Sequence, residues 1–145
     1  MQITRASEYA IRAVLFMARS PYRDVVLKKD ICRTQDITPA FLTKIFQPMI
    51  KHGIIGSQRG VGGGFFLAKR PEEISLLDVI RAQEGEILLN TCLEEKGTCS
   101  RDMICPVHNT WRELRETMLE SLSGKTFTDL LQTEQEIQKN LQQNA

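Results

Sequence analysis

Apolar residues never run far enough in this sequence to cross a bilayer: nothing approaches the ~20 consecutive ones that a membrane helix needs. Nor does the chain open with a charged segment followed by an apolar stretch. No membrane partner is expected, and the cytosol is the expected compartment. Histidine is scarce, with only His52 and His108. No nucleophile, base and orienting group come together, so neither a hydrolytic enzyme nor, for want of a second cofactor motif, an electron-transfer enzyme is expected. Cysteine is limited to four residues, and the cytosolic thiol pool keeps such residues reduced, which argues against structural disulfides. What is present is globular in kind: 145 residues at 41% hydrophobic content suit one small domain, or a domain with an appendage that packs on a partner.

The near-neutral net charge of +1 conceals a polarity along the chain. Residues 1–70 hold 12 Lys/Arg against 4 Asp/Glu, a balance of +8, whereas residues 71–145 hold 7 against 14, a balance of −7. A basic front half suits a polyanionic partner. Two halves that attract one another would show the same numbers, so the motifs must decide.

From Ser7 to Arg19, Ala10, Ile11, Val14, Leu15, Met17 and Ala18 recur at helical spacing and predict a first, core-forming helix. A short helix follows from about Lys28 to Gln35. After Asp36 and Ile37, Thr38 and Pro39 form an N-cap and first-turn proline pair. The third helix has Leu42, Ile45, Phe46, Met49 and Ile50 on one stripe and Gly53 as its terminator, with a kink expected at Pro48. Two helices joined by a tight turn make a helix-turn-helix. The exposed face of its second member, with Thr38, Ala40, Phe41, Thr43, Lys44, Gln47 and Lys51, supplies groups suited to base edges and phosphates. An ordinary amphipathic helix fits that face equally well.

Ile54–Arg59 and Phe65–Ala68 read as strands around a glycine-rich tip, and this hairpin favours the DNA reading. Arg59, Gly60, Val61, Gly62 and Gly63 let a backbone approach a sugar-phosphate chain while the arginine enters a narrow minor groove. Glycine-rich loops also cradle nucleotides, but no Gly-Lys-Ser/Thr sequence and no βαβ unit accompany this one.

Beyond Pro71, Ser75 and Asp78 form a capping-box-like pair that opens a helix to about Glu84. An irregular stretch follows that gathers Cys92, Cys99 and Cys105, with His108 just beyond, in a C-x6-C-x5-C-x2-H pattern. A loop wraps such ligands readily around a metal centre. Pro106 opens a long helix to Ser123, roughly 27 Å at 1.5 Å per residue. Its stripe of Val107, Trp111, Leu114, Met118 and Leu122 suits a mate across a twofold, part of it packing within the chain. A final polar helix from Phe127 to Leu141 has a thin apolar edge. Cys32, within the helix-turn-helix, reads as a small core residue.

Together, Ile3-Thr4, Tyr9-Ala10, the run Arg59 to Phe65, the three-cysteine loop and Trp111-Arg112-Glu113-Leu114 resemble the IscR and NsrR family of winged-helix iron-sulfur regulators over nearly the whole chain. The resemblance implies a mainly α fold with a small β-hairpin wing. Residues 1–70 would form the winged helix-turn-helix, and residues 71–145 the cluster loop and dimerisation helices. It also implies a homodimer on double-stranded operator DNA, controlled by a two-iron two-sulfur cluster. In IscR-like members three cysteines and a histidine hold the cluster, and the matching positions are Cys92, Cys99, Cys105 and His108. In NsrR-like members a carboxylate from the other subunit replaces the histidine, and Glu8 stands at that position as the alternative. Thr43 replaces an acidic residue of the IscR pattern, so operator preference does not transfer. Zinc on the same ligands, or thiols that sense oxidants directly, remain alternatives for a repressor of this fold.

Overall fold

The computed structural model describes residues 3–94 and 99–143. Helix α1 (Arg5–Met17) starts two residues earlier than the apolar periodicity predicts, because Thr4 is the N-cap and accepts from the Ser7 amide. Ala10, Ala13, Val14 and Met17 on its inner face are buried. Helix α2 (Lys28–Gln35) ends at Asp36, which takes the left-handed conformation at φ 53°, a backbone state that aspartate tolerates better than most residues. Arg12 of α1 donates to the Gln35 carbonyl there at 3.2 Å. Helix α3 (Pro39–Lys51) has Thr38 as N-cap and Pro39 in its first turn.

Pro48 does not interrupt α3. It removes only the amide that would reach Lys44, and Lys44 is exposed, so water can satisfy the freed carbonyl. The His52 ring Nδ1 lies 2.8 Å from the Pro48 carbonyl at the helix end, and Gly53 turns the chain at φ 68°.

Strands β1 (Ile55–Gln58) and β2 (Gly64–Leu67) pair antiparallel, with Ile55 opposite Leu67 and Gln58 opposite Gly64. The hairpin has a third contributor that no alternation in the sequence announces. Val26 exchanges hydrogen bonds with Phe65, 2.8 Å out and 2.9 Å back, so the loop before α2 is stitched to the wing. Phe65 also meets Phe46 of α3 edge-on, with centroids 4.7 Å apart. The wing is therefore fixed to the helix it accompanies.

Helix α4 (Leu76–Glu84) begins at the capping box expected of Ser75 and Asp78. It lies against α1 and α3, and Gln83 donates to the Ile45 carbonyl at 2.7 Å. Helix α5 (His108–Ser123) starts two residues after Pro106, since Pro106 and Val107 are spent on a turn. Helix α6 (Phe127–Gln143) opens with a reciprocal Thr126–Asp129 cap. It is anchored to the core by Phe127, with Leu130 and Leu131 packed alongside, and by a bidentate Arg19–Glu134 pair. One hydrophobic cluster joins Phe127, Ile74 and Val79 to the core of α1–α3, and Cys32 packs against it.

The start of α1 is tied to the end of α4 by one carboxylate. Glu84 accepts from the Thr4 amide, the Thr4 hydroxyl and the Ser7 hydroxyl. Partial loss of water raises its pKa, but the three hydrogen bonds outweigh that and hold it below the ordinary value. A lowered carboxylate pKa contributes stability above the unfolded-state pKa and loses it as pH falls through the folded one. Because Glu84 is exposed, Glu84→Gln is expected to cost only about 1 kcal/mol or less at neutral pH. In urea denaturation the gap between the two proteins should close as pH drops below the carboxylate range.

Candidate DNA interface and metal-binding cleft

The exposed face of α3 presents Ala40, Lys44, Gln47 and Lys51, with Thr38 at its head. Two other predicted contacts sit lower. Phe41 is half-buried and meets the Tyr9 ring edge-on at 5.6 Å, and the Arg12 guanidinium lies over that tyrosine ring, 4.9 Å from its centroid. The Thr43 hydroxyl donates to the Pro39 carbonyl at 2.9 Å and accepts from Lys28 Nζ at 2.7 Å. Lys28 thus brings an ammonium group from α2 to the face of α3. Sequence reading passed over it, because a lysine in the first turn of a short polar helix looks like any solvated charge.

At the wing tip, Gly60 and Gly62 take φ values of 96° and 75°, which side chains rarely adopt. Gly63 lies tight against the Gln58 carbonyl, where a Cβ would stand 2.4 Å away. Arg59 and Val61 project outward, Val61 with its whole side chain in solvent.

Past α4 the chain makes a short 3-10 turn, Thr91–Leu93, then a further turn that leads into α5. A cleft of about 1040 Å³ between these pieces is lined by Cys92, Cys99, Asp102, Cys105 and His108. Within it, ligand atoms of Cys92, Asp102 and His108 all lie within 4.8 Å of one another. Cys99 and Cys105 line the same cleft without joining that group, and all four cysteines of the chain are free thiols. Lost solvation raises the Cys92 thiol pKa most, and the Asp102 carboxylate, Cys99 and Cys105 add to it against one backbone hydrogen bond that lowers it. A cation placed there reverses that balance, and its binding must expel protons.

Three thiols and an imidazole around one roomy cleft fit an iron-sulfur cluster as a donor set. Asp102 was not among the ligands expected from the sequence, since a carboxylate in a loop looks like surface charge until the fold turns it inward. Glu8 is exposed on the first turn of α1.

The cleft is coupled to the rest of the fold through α5. Arg115 donates from Nε to the Ile87 carbonyl at 2.7 Å and from Nη2 to Glu86 at 3.2 Å. Met118 and Leu122 are occupied within the chain, packed with Leu119 against Leu77, Ile80 and Ile87. Val107, Trp111 and Leu114 remain exposed, so the predicted stripe divides at about its middle. Among the described residues no helix is long and apolar enough to cross a membrane.

A helix-turn-helix with a stitched hairpin beside its second helix defines the class: a winged-helix transcription regulator. Residues 3–133 match the family described as Rrf2, iron-dependent transcriptional regulator, and the chain belongs to it. The chain is 32% identical over 139 residues to the HTH-type transcriptional regulator NsrR of Halalkalibacterium halodurans, covering 95% of each. It is 30% identical over 135 residues to the HTH-type transcriptional regulator IscR of Klebsiella pneumoniae, covering 93% of this chain and 82% of that one. Among solved structures it is similar to CymR, the global cysteine regulator of B. subtilis, with TM-score 0.74 and 25% identity over 92% of this chain and 98% of that one. It shares the fold of T. potens IscR, with TM-score 0.74 and 23% identity over 95% and 91% of the two chains.

Proposed function

We propose that this regulator is a homodimer whose grip on operator DNA is set by an iron-sulfur cluster, two-iron two-sulfur in type, held by Cys92, Cys99, Cys105 and His108. The observation that carries the reading is the convergence of three free thiols and His108 on one cleft at the head of α5. When bound, the cluster supplies a redox- and iron-responsive crosslink. The chain's own residues do the rest. His108 is both a cleft residue and the first residue of α5, so the state of the loop is felt at the helix start. Arg115 passes it to residues 86–87, and α4 reaches the recognition helix through Gln83 and Ile45. Exposed Val107, Trp111 and Leu114 supply the free part of a twofold contact, which would pair two recognition helices for a palindromic site.

Such control requires the cluster to favour one arrangement of the dimer, since equal affinity for two arrangements shifts neither. Anaerobic purification followed by visible absorption and iron and sulfide analysis tests it. Coloured protein with both elements is expected, and colourless protein would reject the cluster. His108→Ala and Glu8→Ala then identify the fourth ligand: the substitution that leaves the spectrum intact excludes its residue.

For DNA, Thr38, Ala40, Phe41, Thr43, Lys44, Gln47 and Lys51 would read the major groove and Arg59 to Gly63 the minor groove. Arg59→Ala is expected to weaken operator binding and lower the salt slope by about one contact, as measured by titrations at several salt concentrations. An unchanged slope would remove Arg59 from the interface. The likeness to a cysteine regulator favours a second reading, in which the same thiols act without a cluster, as redox switches or around zinc.

A further inference from the structure

We propose that the cleft also binds one divalent transition-metal ion directly, through Cys92 Sγ, the Asp102 carboxylate and a ring nitrogen of His108, as a state distinct from the cluster-loaded one. The three ligand atoms come from three separate pieces of chain, the Thr91–Leu93 turn, the turn before Cys105 and the first residue of α5, yet lie within 4.8 Å of one another. In tetrahedral zinc sites, bonds of about 2.0–2.3 Å put ligand atoms roughly 3.3–3.8 Å apart, so a contraction of about 1 Å closes the set.

The side chains are held on the protein side of the cleft, Asp102 at 14% and His108 at 22% exposure, with Asp102 Oδ1 3.6 Å from His108 Nδ1. The two thus face one another at the distance of a long ion pair, and a cation between them would take the carboxylate and the imidazole as ligands in its place. His108 Nδ1 is buried and makes no hydrogen bond among the described residues. One thiolate, one imidazole and one carboxylate form a mixed donor set appropriate to Zn²⁺ or Co²⁺, with a fourth position open to water.

The ion and the cluster compete for Cys92 and His108 but differ in what else they need. The ion uses Asp102; the cluster uses Cys99 and Cys105. An ion there fastens the cysteine loop to the head of α5 without iron or sulfide. This site does not depend on the cluster reading.

The test uses the full chain, reduced and freed of metal by a chelator, titrated anaerobically with Co(II) and then displaced with Zn(II). One Co(II) per chain is expected, with tetrahedral d–d bands and a sulfur-to-cobalt charge-transfer band. Asp102→Asn and His108→Ala should each weaken binding by about tenfold or more, with circular dichroism confirming the fold, while Cys99→Ser leaves it unchanged. X-ray absorption on the unsubstituted protein should count one sulfur, with the remaining ligands nitrogen or oxygen, and needs no variant. Absence of binding, full affinity in Asp102→Asn, loss in Cys99→Ser, or three sulfurs on the metal would each overturn the proposal. Cluster assembly with iron and sulfide is read separately. A chain that takes Co(II) as described but no cluster defeats the proposed function and upholds the ion site.

Discussion

Cys92→Ala is expected to abolish the visible chromophore and the bound iron of anaerobically prepared protein while leaving its fold intact. Cys92 is the one cysteine whose sulfur stands beside both Asp102 and His108, so no other thiol can substitute for it at that point of the cleft. Its side chain is half-buried in a loop and contributes nothing to either hydrophobic cluster. The loss is therefore one of ligation, and removing a ligand forfeits the metal's binding free energy without emptying a core position. Iron and sulfide analysis gives the first readout and thermal unfolding of the metal-free forms the second. A variant that keeps its colour would take Cys92 out of the ligand set. One that is colourless because it no longer folds would show that the loop does more for stability than its exposure implies.

The second large effect is expected at the wing. In Gly64→Ala, the new Cβ would stand 2.2 Å from the Val26 carbonyl oxygen and 3.1 Å from the Leu27 Cα. Both are backbone atoms, and Val26 is held there by its two hydrogen bonds with Phe65, so no rotamer change relieves the clash. The strand must separate from Val26 or the hairpin must slide off Phe46. Overpacking of this kind costs about 1–3 kcal/mol, and for a chain of this size that lowers Tm by several degrees. Operator affinity should fall further than stability alone explains, because the wing loses its position beside α3. Gly60→Ala offers the contrast. It has φ 96° but nothing within 4 Å of the added carbon, so it pays only the local backbone strain, roughly 1–2 kcal/mol, and keeps the wing attached. Equal effects of the two substitutions on DNA binding would show that the stitch to Val26 is not what places the wing.

These two sites mark where the sequence was legible and where it was not. Local chemistry showed through well. The bounds of α2, the Thr38–Pro39 start of α3, the Ser75–Asp78 cap and the glycine tip all depend on residues within a turn of one another. Features that depend on distant partners did not show. Val26 pairs with Phe65 across 39 positions with no alternating pattern around it, and Lys28 reaches Thr43 from a neighbouring helix.

The α5 stripe shows a related limit. Periodicity put Val107, Trp111, Leu114, Met118 and Leu122 on one stripe, but Val107 falls in the turn before the helix, and periodicity could not reveal that Leu77, Ile80 and Ile87 would claim Met118 and Leu122. In the cleft, the C-x2-H spacing pointed to His108, whereas Asp102 became visible only once the chain had folded back on itself. At Pro48 the helix runs on unbroken, because the lost hydrogen bond belongs to the exposed Lys44 and Leu42, Ile45, Phe46 and Met49 hold the helix in the core.

The most direct test of the account is operator binding by one anaerobic preparation, assayed at fixed salt before and after its cluster is removed. Affinity or site preference should change on removal, and Cys92→Ala should behave like the stripped form under both conditions. Unaltered affinity and site preference, with a cluster analytically present in one sample and absent from the other, would contradict it.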